Sequence, residues 1–471
     1  MGRGEDCCIM QVYNQGQLKM DLPWKRFHFV GIGGVGMSAL AEILTHLDYK
    51  VSGSDISDNA LTRLLRNQGV KVFFGHKSEQ IQLAEVVVVS SAIPKDNPEW
   101  ISARENNIPV ISRGRLLSYL MNQKMGIAIA GTHGKTTTSA LIFTILGSAG
   151  LEPTAIIGGM VNGANAWFGN GDYLVAEADE SDGSFLLLSP KIVVVTNIDA
   201  DHLDYYKTFF AIKDAFKKFL NNLSPFGVAV ICRDDPGLKE IIPELDRPYI
   251  SYGLGEDCHY QARGLLLNET TQFDIYAYGK KMGKISLQLL GMHNVYNALA
   301  AFAVAQELGI PTEITIKGLE QFMGVDRRLA IKGEKKNILI IDDYGHHPTE
   351  IKAVFSSIKQ KWPKRRLITV FQPHRYTRTK ALYEGFLTAF SQADLLIITE
   401  IYAASEPPIS GVSGEWLANG IGKIQKVKFC KTLEEAFDYL LSLLRTYDIV
   451  LTLGAGDVWK VGERLLGYMD E

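Results

Sequence analysis

A chain of 471 residues is long enough for about three domains, and its 46% hydrophobic content with a mean hydropathy near zero supports packed globular cores and excludes a disordered chain. Its 49 basic and 52 acidic residues leave a formal net charge of −3, which offers no electrostatic footprint for nucleic acid. Five scattered cysteines (Cys7, Cys8, Cys232, Cys258, Cys430) form no C-x-x-C pair and point to a reducing cytoplasmic setting, and no apolar run approaches the about 18 residues that cross a membrane.

The N-terminal stretch "MGRGEDCCIMQVYNQGQLK" lacks the apolar core of a signal peptide, and the first 20 or so residues are expected to be loose. From "RFHFVGIG" onward, short apolar runs alternate with segments of helical spacing: "VGMSALAEILTHLDY", "KVSGSD", "NALTRLLRNQG", "KVFFG" and "AEVVVVSSAI". Such alternation predicts a parallel α/β sheet, closing near residue 123. A second unit, 124–325, opens on "MGIAIAGTHGKTTTSALIFTILGSAG" and continues through "YLVAEADES", "IVVVTNIDADH" and "GVAVICRDDP". Between about 248 and 290 the pattern changes to period two with turns, which predicts antiparallel strands at the edge of the same unit. The alanine-rich "GMHNVYNALAAFAVAQELG" reads as an amphipathic helix, and "FMGVDRRLAIKG" as a linker. The last unit, 326–471, alternates again through "NILIIDDYG", "HHPTEIKAVFSSIKQK", "RRLITVFQP", "LLIITEIY" and "DIVLTLGAGD". The expected fold class is α/β, with three consecutive parallel-sheet domains.

The loop "AIAGTHGKTTT" departs from the usual P-loop spelling, because Ile129 stands where the first glycine would be. Its context is still that of a phosphate cradle: a strand, a glycine turn, then a helix starting at about Lys135, so that backbone N–H groups and the positive helix end face an anion. Lys135 supplies a movable charge for the β- and γ-phosphates and Thr136 a hydroxyl for Mg²⁺. The plain alternative, a strand-to-helix turn with a surface lysine, does not account for Gly-Lys-Thr at the turn itself. A metal also needs carboxylates at neighbouring strand ends. Glu177, Asp179, Glu180 and Asp182 end one strand, and Asp199, Asp201, His202 and Asp204 end another. His202 would be an unusual Mg²⁺ ligand.

The first glycine loop, Gly31-x-Gly33-x-x-Gly36, has a strand before it, a helix after it and Asp55 at the end of the next strand. That pattern places a pyrophosphate on a helix N-terminus and an acid on a ribose hydroxyl. A nicotinamide cofactor and a nucleotide diphosphate sugar both satisfy it. In the last unit, Asp342 and Asp343 end a strand, His346 and His347 open a helix with proline, and Arg375 and Arg378 follow a further strand. Arginine suits carboxylate recognition and histidine suits proton handling. Placed at the ends of adjacent strands, these groups are expected to form one site.

In order, "GIGGVGMSALAEIL", "GTHGKTTT", "EADESDGSFL", "NIDADHLDYY", "GMHNVYNALAA", "DDYGHHPTEI", "FQPHRYTRT" and "LTLGAGDVW" closely resemble the Mur ligase family over residues 26 to about 460. The resemblance implies a Rossmann-like UDP-sugar domain, a P-loop ATPase domain and a Rossmann-like amino-acid domain. It implies a cytoplasmic ATP- and Mg²⁺-dependent ligase, monomeric or homodimeric, that acts on UDP-N-acetylmuramate and L-alanine with neither nucleic acid nor membrane insertion. By the same resemblance, Gly33, Gly34, Asp55 and Ser91 lie near the UDP moiety, and no nicotinamide is implied. Gly131, Thr132, His133, Gly134, Lys135, Thr136 and Thr137 hold ATP, with Asn294 and Arg328. Thr136, Glu177 and His202 hold the metal, with Glu180 the second choice of acid. Lys135, His202, His346 and His347 form the catalytic set, and Arg375 and Arg378 bind the amino acid.

Overall fold

The β-branched and apolar runs that read as strands join three sheets. The computed structural model describes residues 20–161 and 163–469, so the N-terminal stretch expected to be loose, with Cys7 and Cys8, lies outside the described residues. Cys232, Cys258 and Cys430 are buried and unpaired by disulfides. Among the described residues no helix is long and apolar enough to cross a membrane.

The first sheet is wholly parallel, in spatial order Lys71–Phe74, Lys50–Asp55, Arg26–Val30, Val86–Val89 and Val110–Ser112. The order of the chain reverses between Arg26–Val30 and Val86–Val89, and such a reversal opens a crevice at the carboxyl ends of the strands. The glycine loop sits at that crevice. Gly31 and Ile32 both donate backbone N–H groups to the Ser54 carbonyl, at 2.8 and 3.0 Å.

In the central ten-stranded sheet, Met125–Ala130 lies between Tyr173–Glu177 and Ile192–Val195. The two acid-bearing strand ends therefore flank the turn that follows Ala130. The hairpins of Tyr260–Leu267, Thr271–Ala277 and Lys280–Leu287 extend this sheet antiparallel, as the period-two pattern predicts. Helix Met292–Glu307 packs on helix Lys135–Ser148, and its run of small buried alanines (Ala298, Ala300, Ala301, Ala303, Ala305) permits the close approach.

The third sheet runs Ala330–Lys335, Ile338–Asp343, Ile449–Leu453, Leu367–Phe371, Leu395–Ile398 and Val427–Phe429. Two expectations are corrected here. The latter part of the charged "linker" is an edge strand, Ala330–Lys335, paired antiparallel with Ile338–Asp343. Lys336 and Asn337, at φ 51° and 60°, make the two-residue turn between them, the left-handed geometry that matches strand twist in a tight hairpin. An exposed edge strand carries charge without loss, which disguised it as a linker. The strands before His346 and Arg375 are also not neighbours. The last strand of the chain, Ile449–Leu453, inserts between them and pairs with both.

The closeness of the first two strands generates a test. A Cβ on Gly53 would lie 2.6 Å from both the Phe29 carbonyl oxygen and the Ile32 side chain. Gly53→Ala is expected to cost about 2 kcal/mol, read as an earlier urea-unfolding midpoint; an unchanged midpoint contradicts the close approach.

Candidate active site

The turn after Met125–Ala130 is built for an anion. Gly131 and Gly134 have φ of 127° and 85°, and a Cβ on Gly134 would lie 2.5 Å from Asn297 Oδ1. Glycine is required at both counts. Helix Lys135–Ser148 has neither a side-chain cap nor an acidic residue in its first turn, so its positive end is open. Asn197 fastens the turn from the next strand. Its carbonyl accepts the Thr132 N–H at 3.1 Å, and its side chain accepts the His133 N–H at 2.9 Å and donates to the His133 carbonyl at 3.0 Å.

Lys135 Nζ donates to the Gly131 carbonyl at 2.6 Å, the Thr132 carbonyl at 3.2 Å and Glu180 Oε1 at 2.7 Å. Burial opposes its charge, but Glu180 outweighs this and raises the lysine pKa. Glu180 is 2% exposed, and burial pushes its pKa up to about 7 against the pull of Lys135. Its second oxygen, Oε2, is buried without a partner. Glu177 lies further back. Its Oε1 accepts the Gly158 N–H at 2.5 Å, and burial raises its pKa despite that bond. His202, in the left-handed region at φ 54°, holds Nε2 3.6 Å from Asp201 and 3.9 Å from Glu180 Oε1. Burial lowers its pKa and favours the neutral ring. A carboxylate oxygen without a partner, a second carboxylate, the Thr136 hydroxyl and a neutral imidazole are donors that suit a divalent cation. Among the described residues, the group of three histidines and acids whose donor atoms all lie within 4.8 Å of one another is a different one, His133, Asp199 and His347. Three of its four ring nitrogens are engaged: both of His133, on Asp199 and Glu350, and Nδ1 of His347, which accepts the Thr349 N–H, while His347 Nε2 is buried without a hydrogen-bond partner.

A cavity of about 620 Å³ opens from this turn between the central and last units, and Asn294, Arg328, Asp343 and Glu350 line it. Arg328 stacks over Tyr344 at 5.2 Å and lies 3.7 Å from Glu350. Asn294 is committed to the protein, donating to the Leu290 carbonyl at 2.8 Å and accepting from Asn297 at 3.0 Å. Asn197, Asn297 and Glu350 were missed in the sequence. Asn297 repeats Asn294 one helical turn on, and Glu350 is the closing acid of a capping box whose other member is His347. Both signals are visible in retrospect.

The last unit reaches the turn through His133. This ring stands 3.1 Å from Asp199 and 3.2 Å from Glu350, bridging the two units. Burial disfavours the imidazolium, but the bonds to Asp199 and Glu350 prevail and raise its pKa to about 9. Thr349 donates to Asp199 at 2.7 Å, and Arg378 donates to both oxygens of Asp201 at 3.1 and 3.2 Å. His346 and His347 differ in role. His347, 4% exposed, caps its helix, whereas His346 Nδ1 faces the Tyr344 carbonyl at 3.1 Å. Burial pushes the His346 pKa down to about 4. Arg375, at φ 68°, keeps a buried Nε with no hydrogen-bond partner, 3.9 Å from Glu406 Oε1. Asp201, His202, Arg375 and Arg378 line a small pocket of about 20 Å³.

In the first unit, the Gly33 N–H donates to Asp55 Oδ2 at 2.8 Å, and Gly34 caps helix Val35–His46. Asp55 therefore clamps the loop itself. Ser91 is exposed, and its neighbour Ser90 is the serine that lies beside Gly31.

The His133 bridge has a definite pH window. Its folded pKa lies above the ordinary 6.5, so its contribution is complete below about 6.5 and is lost as pH rises through about 9. Thermal unfolding at pH 6, 7.5 and 9 should show the parent losing stability relative to His133→Gln across that range. Parallel pH profiles for the two proteins contradict the bridge.

Comparison with known proteins follows the same three-part division. The Mur ligase family catalytic domain matches residues 26–125, the Mur ligase middle domain residues 129–305 and the Mur ligase glutamate ligase domain residues 327–456. The UDP-N-acetylmuramate–L-alanine ligase of Geobacter sp. (strain M21) is 50% identical, with 94% of this chain and 97% of that protein aligned. Its counterpart in Trichlorobacter lovleyi is 49% identical over 94% of this chain and 98% of that one. The crystal structure of the UDP-N-acetylmuramate-alanine ligase of Thermotoga maritima superposes with a TM-score of 0.81 at 28% identity, covering 94% of this chain and 99% of that one. The chain belongs to the Mur ligase family.

Proposed function

We propose that this chain is the ATP-dependent ligase that joins L-alanine to the lactyl carboxylate of UDP-N-acetylmuramate, releasing ADP and phosphate in the synthesis of a peptidoglycan precursor. The observation that carries the reading is the open anion turn with Lys135 buried behind it, bordering a cavity of about 620 Å³ to which the last unit contributes Arg328, Asp343 and Glu350. The names of relatives about 50% identical over nearly the whole chain support the same reaction.

A carboxylate oxygen is a poor leaving group, so amide formation needs activation. The lactyl carboxylate attacks the γ-phosphorus of ATP, the bond to ADP breaks, and an acyl phosphate forms. Lys135 and the N–H groups of Gly134 to Thr137 meet the charge spreading over the transferring group. Gly131, Thr132 and His133 shape the turn, and Asn294 and Arg328 border the nucleotide cavity. Thr136, Glu177 and His202, with Glu180 beside them, would hold Mg²⁺, which when bound supplies further neutralisation of the phosphates.

The amine of alanine then attacks the acyl carbon, and phosphate leaves from the tetrahedral intermediate. The hydrogen bonds of the two histidines favour His346 as the group that takes the amine proton. A ring that donates Nδ1–H to the Tyr344 carbonyl keeps a lone pair on Nε2, whereas His347, accepting at Nδ1, carries its hydrogen there. Arg375, whose Nε makes no hydrogen bond within the protein, grips the alanine carboxylate, and Arg378 orders Asp201 beside it. Gly33, Gly34 and Asp55 hold the UDP end, with Ser91 at the mouth of that crevice.

Phosphate release is expected only when ATP, UDP-N-acetylmuramate and an amino acid are all present, greatest with L-alanine. Lys135→Ala should cut the rate by about 10²-fold or more while leaving UDP-sugar binding intact. A variant with full turnover contradicts the assignment of the turn.

A further inference from the structure

Arg113 opens helix Arg113–Met121, the last helix of the first unit, and is held in place by the neighbouring unit. Ser112 caps the helix by accepting the Arg115 N–H at 3.2 Å. A Cβ on Gly114 would lie 2.8 Å from Ser184, and Ser118 donates to the Leu187 carbonyl at 2.8 Å. The helix start is thus seated on the turn Ser184–Leu187, which directly follows the acidic strand end of the central unit.

The guanidinium faces two ways. Nη2 donates to Asp179 Oδ2 at 3.1 Å and Ser184 Oγ at 3.3 Å, with Asp182 4.0 Å away. Among the described residues, Nη1 has no acceptor, and it stands 3.0 Å from the place a Cβ on Gly36 would occupy. Gly36 lies in the first turn of Val35–His46, a helix with no side-chain cap and no acid in that turn. Two positive features, the open helix end and half of a guanidinium, therefore meet there. At the same helix end Asn165, fully buried, donates to the Val35 carbonyl at 2.9 Å and keeps Oδ1 without a partner. That oxygen calls for a hydroxyl or amide N–H, and a sugar nucleotide carries such donors next to its diphosphate.

We propose that Arg113 is a positioning residue for the sugar nucleotide: it binds the diphosphate against the start of Val35–His46 with one amino group while the other stays on Asp179. An arginine can serve both because its planar fork presents five donors. The substrate is thereby indexed to the acidic strand end beside which its carboxylate must meet ATP. The inference rests on the reading of the first crevice as the UDP-sugar site.

Isothermal titration with UDP-N-acetylmuramate, without ATP, and separately with ADP, tests it on the parent, Arg113→Met, Arg113→Lys and Asp179→Asn. Arg113→Met is expected to weaken UDP-N-acetylmuramate by about tenfold or more and leave ADP unchanged, which also shows that the variant is folded. Arg113→Lys should recover part of the loss, and in turnover the Met variant should raise KM for the sugar nucleotide and not for ATP. Asp179→Asn frees the guanidinium and should bind the sugar nucleotide at least as well as the parent. Equal loss in Arg113→Met and Asp179→Asn would mean that the pair only ties the units together, and overturns the proposal. So does an Arg113→Met that binds like the parent. A parent that binds no UDP-N-acetylmuramate overturns the functional reading itself, a result these variants do not mimic.

Discussion

The buried ammonium of Lys135, shared among two turn carbonyls and Glu180, is the contact on which the rest of the molecule depends. A lone buried charge is costly, and removing its partner leaves that cost uncompensated. Here the ammonium gathers the turn, the adjacent strand end and the left-handed loop of His202 around one point. Burial pushes the Glu180 pKa up to about 7 against the pull of Lys135. An anion arriving at the turn finds a cation already dehydrated and held, so little reorganisation is left for the chemical step.

The three units serve that point from different directions. The central sheet brings Glu177 and Thr196–Asn197 to either side of the turn because Met125–Ala130 lies between their strands. The last unit sends Thr349, Glu350 and Arg378 across to Asp199, His133 and Asp201. The first unit is fixed through the seat of Arg113–Met121 on Ser184–Leu187. Reaction between groups carried by separate units depends on such fixed spacing, since errors near 1 Å in placement are expensive in rate.

Much of this was legible in the sequence where a function rests on local geometry. The glycine turns, the strand ends carrying Glu177 and Asp55, and the proline-started helix after His347 all follow from neighbouring residues. What escaped was long-range. Nothing near "DIVLTLGAGD" reveals that its strand inserts between those of Asp343 and Phe371, because sheet order is set by packing of distant segments. The edge strand Ala330–Lys335 hid behind its charges. Asn197 and Asn297 act on the turn from 60 or more residues away, and only the fold discloses that Arg113 faces both Gly36 and Asp179.

The most direct test of the account follows oxygen atoms. UDP-N-acetylmuramate labelled with ¹⁸O in its lactyl carboxylate is incubated with ATP and L-alanine, and the released phosphate is examined by mass spectrometry. An acyl phosphate predicts one ¹⁸O transferred to phosphate for each amide bond formed. Phosphate free of label, beside labelled amide product, would contradict activation of the carboxylate at this turn.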